Sequence, residues 1–196
     1  MFAQTLKQWD SDLFLLLNGL HSPFLDFIMY WTSEKTTWIP VYLILIYLII
    51  RKYKNEAMLF IPLALVMILF SDQSSVLLKS LTHRLRPCHE PALEGLIHLV
   101  KNKCGGDFGF VSSHAANHFA LSSLLILAFG NYRTTGGAIL LLWAVLISYS
   151  RIYLGVHYPL DVLAGGLLGI FLGFLFYYLF LLSKRLFIRS RISQRK

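Results

Sequence analysis

Residues 150–161 read Ser-Arg-Ile-Tyr-Leu-Gly-Val-His-Tyr-Pro-Leu-Asp and lie between two long apolar runs. Arg151 can clamp an anion, His157 can attack or carry a proton, and Asp161 can orient an imidazole. Pro159 suits the first turn of a helix, where its missing N–H leaves no bond unmade. A helix starting near His157 puts His157 and Asp161 at i and i+4, on one face. The carboxylate can then accept the Nδ1–H and leave Nε2 free to attack. A membrane-interface loop with Arg, His and Tyr as anchors would look the same, so this stretch alone leaves both readings open.

Two further stretches supply what such a site would need. The first runs from Lys79 to Pro87 and carries Lys79 and Arg86 seven residues apart. On a helix that is about two turns, so both cations share a face, and Pro87 ends the helix soon after. Paired cations make a phosphate clamp, and the plainer reading is a snorkelling pair at a membrane boundary. The second, Phe110-Val111-Ser112-Ser113-His114, opens another apolar run. A helix N-terminus there offers free N–H groups to an anion, with the Ser112 and Ser113 hydroxyls beside them. His114 can protonate a leaving oxygen, and Gly105, Gly106 and Gly109 allow close backbone approach. An ordinary serine N-cap is the alternative. Together the three stretches hold two histidines, a carboxylate, three cations and a helix N-terminus. That is the inventory for phosphoryl transfer through a phosphohistidine. His83, four residues after Lys79, and the outer-loop groups His89, Glu90, Glu94 and His98 carry less weight. His118 and Asp72 fall inside apolar runs and read as internally paired groups.

The elements that must position these residues are apolar. The chain is 196 residues long, 56% hydrophobic and only 14% charged, with a mean hydropathy of +0.60. That is too apolar for a soluble domain of one-domain size, so a single membrane-embedded unit over 1–196 is expected. The formal net charge is +8. Its basic residues cluster at the ends of apolar runs, without the basic–aromatic interleaving of a nucleic-acid surface, so no nucleic-acid partner is expected. No secretory signal is visible, so insertion by uncleaved helices is expected. Residues 3–18 read as an amphipathic helix at the membrane surface, and 23–33 as a short span or re-entrant piece. Spans follow over 37–50, 57–78, 112–130, 135–153 and 159–183. The expected fold is therefore an all-α bundle of about six transmembrane helices. Gly165, Gly169 and Gly173, at four-residue spacing, let another helix approach closely.

Orientation follows from charge. Arg51, Lys52 and Lys54, then Arg133, then the basic tail over 184–196 mark one side as cytoplasmic, with both termini there. The 80–111 loop and the 151–158 turn then face outward. That loop holds Lys101 and Lys103 against the positive-inside trend, which suits an anionic ligand. It also holds Cys88 and Cys104, where a disulfide competes with two free buried thiols. A bridge closing about 15 residues would contribute roughly 3 kcal/mol in the chain-entropy model.

Lys79-x6-Arg86-Pro87, Ser112-Ser113-His114 and Ser150-Arg151-x5-His157-x3-Asp161 together resemble the three-part signature of the type 2 phosphatidic acid phosphatase superfamily. The resemblance implies His157 as nucleophile, Asp161 as its orienter and His114 as acid for the leaving group. It implies Lys79, Arg86, Arg151, Ser112 and the N–H groups near Ser113 as phosphate ligands, with no metal or other cofactor. The middle motif departs from the usual Pro-Ser-Gly-His at Val111 and Ser113. The expected partners are the bilayer and a membrane lipid phosphate, met at the outer face of the cytoplasmic membrane. Undecaprenyl diphosphate is the leading expectation, with lipid A phosphate, phosphatidylglycerophosphate and phosphatidate as rivals. A non-catalytic lipid-binding or transport protein of the same fold, a vanadium-dependent oxidase and a metal hydrolase are the alternatives of other classes.

Overall fold

The computed structural model describes residues 2–130 and 135–193. Arg133, Arg195 and Lys196, which entered the charge argument, lie outside the described residues. The helices are α1 (Phe2–Asn18), α2 (Pro23–Ser33), α3 (Ile39–Tyr53), α4 (Ala57–Thr82), α5 (Ser113–Phe129), α6 (Thr135–Tyr153) and α7 (Pro159–Ser193). No strand occurs among the described residues; Leu85 and Phe108 form one isolated bridge. The protein is an all-α membrane bundle, with six apolar helices following amphipathic α1. By length and composition, residues 35–82, 135–153 and 159–186 can cross a membrane, and α1 with α2, bent by 115°, make a fourth candidate.

The 35–82 stretch holds two antiparallel helices. The chain reverses at Lys54 (φ 50°), and Tyr53 stacks on Phe60 at 5.3 Å across the turn. Tyr42 reaches His118 and Tyr53 reaches Ala128, so α3 runs alongside α5 in the same direction. Lys79 meets Ser113, so α4 runs the opposite way. Leu43, Leu65, Leu69, Leu142, Leu167 and Phe171 stay exposed on the outer faces, as lipid-facing side chains must.

Helix α5 is the centre of the bundle, with ten of its 17 residues buried. Gly165, Gly169 and Gly173 of α7 lie directly on its backbone. A Cβ at Gly165 would come within 2.5 Å of the Ser112 carbonyl oxygen, and one at Gly173 within 2.6 Å of Ser123 Cβ. Beneath the site, Phe60, Met67, Leu124, Leu125, Leu172 and Phe180 form the apolar core. Helix α7 continues to Ser193, so the basic residues that follow the apolar stretch ending at Leu186 prolong the same helix.

Helix α1 turns one narrow stripe of mixed polarity inward. Asp10, Phe14 and Asn18, one turn apart, are buried, while Leu6, Trp9, Leu13 and Leu16 face out. Asn18 Nδ2 donates to the carbonyls of Tyr153 at 2.8 Å and His98 at 3.0 Å. Lys7 pairs with Glu90 at 3.2 Å. These contacts hold α1 at the end of the bundle where α6 stops and α7 starts. The opposite end carries Lys184, paired with Glu56 at 2.8 Å.

Candidate active site

Helix α4 stops at Thr82 because His83 closes it in the left-handed conformation (φ 48°). The chain then doubles back: Gly109 N–H donates to Arg84 O at 2.8 Å, and Arg86 N–H to Asp107 O at 2.9 Å. Lys79 and Arg86 therefore do not share a helical face, as their spacing had suggested. The reversal returns Arg86 to the site, where its Nε donates to Phe108 O at 3.2 Å. Cys88 and Cys104 are bonded, with Cα atoms 6.0 Å apart, and tie the two arms of this loop together. His83 turns its ring onto Phe108, His89 contacts Gly105 O, and His98 pairs with Asp26 at 2.8 Å.

Ser112 is the N-cap of α5, accepting a bond from Ala115 N–H at 3.5 Å. Its own N–H donates to Asp161 O at 2.9 Å, which pins the start of α5 to the start of α7. Ser113, where glycine is usual, accepts a bond from Lys79 Nζ at 2.6 Å. The added hydroxyl thus holds a cation of the cluster. His114 lies in the same turn, and His118 one turn deeper contacts His114 O at 2.8 Å and Tyr42 Oη at 3.2 Å. His118 is a satisfied packing group.

At the start of α7, Tyr158 occupies the cap position and Pro159 the first turn. Asp161 Oδ2 accepts the Tyr158 N–H at 3.0 Å, half of a capping box. His157 Nδ1 lies 3.5 Å from the same oxygen, long for a hydrogen bond, as is common before a substrate tightens a site. Gly109 covers this pair: a Cβ there would lie 2.9 Å from Asp161 Oδ2. Gly155 (φ 77°) makes the turn between α6 and α7 against His98 and Leu99, where no side chain fits.

Two residues important to this geometry were missed in the sequence. Arg84 donates to Asp161 Oδ1 at 2.8 Å and to Asp10 Oδ2, with its guanidinium 4.3 Å from the Tyr158 ring centre. Asp10 Oδ1 in turn accepts the Leu160 N–H at 2.9 Å. A carboxylate of α1 therefore caps α7 from outside the helix. Arg84 sat inside the first motif, but no spacing signal links it to Asp10.

His157 is buried at 2% exposure. Burial, then the positive fields of Arg86, Arg151 and Lys79, hold its imidazole well below the usual histidine range. Neutral imidazole is the nucleophilic form. The acidic limb of kcat/KM is therefore expected below about pH 6.5, the ordinary histidine value. A pH–rate profile of the purified enzyme checks this once the substrate's own ionisation is subtracted. A limb at or above that value would contradict the burial argument.

Arg151 donates to Ser33 Oγ, while its buried Nε meets no acceptor among the described residues. A phosphate oxygen fits that position. Both His114 and Arg151 line a cavity of about 490 Å³. The structure thus gathers Lys79, Arg86, Ser112, Ser113, His114, Arg151, His157 and Asp161 at one end of the bundle. Such a cluster can bind a phosphate, attack it and protonate what leaves.

Known proteins agree with this chemistry. A lipid A 4'-phosphatase of Bacteroides thetaiotaomicron is 38% identical over 177 residues, covering 89% of this chain and 78% of that protein. An undecaprenyl-diphosphatase of Sulfolobus acidocaldarius is 31% identical, covering 85% and 76%. The crystal structure of Aquifex aeolicus LpxE superposes with a TM-score of 0.65 at 30% identity, covering 84% of this chain and 92% of that one. With the PAP2 superfamily model matching residues 57–185 and the site built from the same span, the chain belongs to the PAP2 superfamily and is a membrane lipid phosphatase.

Proposed function

We propose that the protein removes a phosphate from the headgroup of a phosphorylated glycolipid of the lipid A class, at the outer face of the cytoplasmic membrane. His157 Nε2 attacks phosphorus, the bond from phosphorus to the lipid oxygen breaks, and His114 gives that oxygen a proton. Water then attacks the phosphohistidine, giving its proton to His114 and releasing phosphate with His157 free. Lys79, Arg86 and Arg151 carry the charge that develops on the phosphoryl oxygens, and Ser112 and the first turn of α5 add N–H donors. The observation that carries this reading is His157 at 2% exposure beside Asp161, with Lys79, Arg86 and Arg151 gathered at the same end of the bundle.

The polyprenyl diphosphate expectation takes second place. The three motifs serve the whole superfamily and do not sort substrates. Similarity over most of the chain favours the glycolipid, being higher to a lipid A 4'-phosphatase (38%) than to an undecaprenyl-diphosphatase (31%). The side of the membrane follows from the end opposite the site, which gathers Lys52, Lys54 and Lys184 and is read as cytoplasmic. Helix α1, held at the site end, then lies outside, in place of the arrangement with both termini inside.

The test is phosphate release from purified glycolipid phosphates, polyprenyl diphosphate, phosphatidylglycerophosphate and phosphatidate, with EDTA present. Fastest release from the glycolipid, inhibited by vanadate and unaffected by EDTA, is expected. Faster release from polyprenyl diphosphate would reverse the substrate ranking, and loss of release in EDTA would remove the metal-free mechanism. Release from lipid supplied outside sealed spheroplasts checks the side.

A further inference from the structure

The cavity that begins at the phosphate cluster does not end there. The half-buried His114, Arg151, Tyr30 and Glu34 line it together with the exposed Lys35 and Lys103. Its volume of about 490 Å³ falls in the range of small-molecule pockets. A second cavity of about 350 Å³ lies on the other side of Tyr30 and reaches Lys101. Lys101 Nζ sits 3.5 Å from the centre of the Tyr30 ring, and Lys103 Nζ lies 3.2 Å from its hydroxyl. Two ammonium groups therefore share one aromatic ring. Among the described residues, neither these lysines nor Lys35 forms an ion pair with a carboxylate. Glu34 lines the first cavity and Asp26, paired with His98, lines the second, so with the three lysines positive charge is in excess.

The ring attracts each ammonium while the two ammonium groups repel one another, and an anion between them relieves that repulsion. The Cys88–Cys104 bond ties together the two arms of the loop that carries Lys101 and Lys103, and Lys103 meets Tyr30 of α2. We propose that Lys35, Lys101 and Lys103 around Tyr30 form a second anion subsite. It binds an anionic group of the same headgroup, other than the phosphate being removed. This rests on the glycolipid phosphatase reading and adds a selectivity to it: substrates with two anionic groups on one headgroup are favoured through KM.

The experiment compares a bisphosphorylated glycolipid disaccharide with its monophosphorylated counterpart in neutral detergent without other anionic lipid. It uses wild type, the double variant K101A/K103A and Lys103→Arg. Both lysines are exposed, and an unchanged melting temperature confirms the fold of each variant. The double variant is expected to raise KM for the bisphosphorylated lipid roughly tenfold, with less than about twofold change for the monophosphorylated one. Lys103→Arg, which keeps the charge, should retain most of the wild-type preference, and added salt should erode it. Equal losses on both lipids, or no loss on either, would overturn the subsite while leaving the glycolipid reading in place. A wild type inactive on both glycolipids but active on another lipid phosphate would overturn that reading and the subsite with it.

Discussion

His157→Ala is expected to lower phosphate release by on the order of 10⁴-fold or more, the scale seen when a covalent nucleophile is removed. The loss should appear in kcat, because Lys79, Arg86 and Arg151 still hold the substrate phosphate. The fold should persist. Asp161 keeps its bonds to Arg84 and to the Tyr158 N–H without the imidazole, and Ser112 still donates to the Asp161 carbonyl. The checks are single-turnover phosphate release, acid-labile labelling of the protein by substrate phosphate, and the melting temperature. His157→Asn, closer in shape, guards against a packing defect. Release within tenfold of wild type in either folded variant would remove His157 from the reaction.

Arg84→Leu is expected to be the most destabilising single change at the site. Arg84 bridges two carboxylates, Asp10 at 4% exposure and Asp161 at 0%, from different helices. Taking the guanidinium away leaves two buried negative charges facing each other. Breaking a buried pair by removing one partner costs about 3–5 kcal/mol. For a chain of this size that is a fall of roughly 10 °C in Tm. Asp10→Asn should cost less, because the amide oxygen still caps the Leu160 N–H and Arg84 still holds Asp161. Activity should fall with Arg84→Leu even below the melting transition, since Asp161 loses the bond that aims it beside His157. Thermal unfolding in detergent, followed by intrinsic fluorescence, decides the point. A Tm within about 2 °C of wild type would show that the bridge contributes little.

The contrast between these two residues shows what the sequence could reveal. His157 was legible because its partners sit in the same short stretch, with Pro159 marking where the helix begins. His114 and Ser112 were legible because a helix start has a local signature. Arg84 and Asp10 were not, since their bond joins α1 to a loop 74 positions away and no periodicity records such a meeting. The shared face proposed for Lys79 and Arg86 failed at one backbone angle, the left-handed His83, which no residue type there announced. Both residues still reached the site, because the 107–109 segment pairs with 84–86 and turns the chain back. The bundle itself was readable, since long apolar runs leave few other folds. The substrate ranking was not, because residues that handle phosphate are indifferent to what carries it.

The glycine ridge of α7 has a consequence for how the enzyme meets its solvent. With backbone on backbone at Gly165 and Gly173, α5 and α7 are in direct contact with no side chain between them. One helix opens with Ser112 and His114, and the other with Asp161 just after His157. The reacting groups thus ride on a single stiff beam. When the bilayer thins or thickens, that beam tilts as a whole. The alignment of the two histidines is therefore expected to be insensitive to acyl-chain length, which kcat in bilayers of short- and long-chain lipid checks.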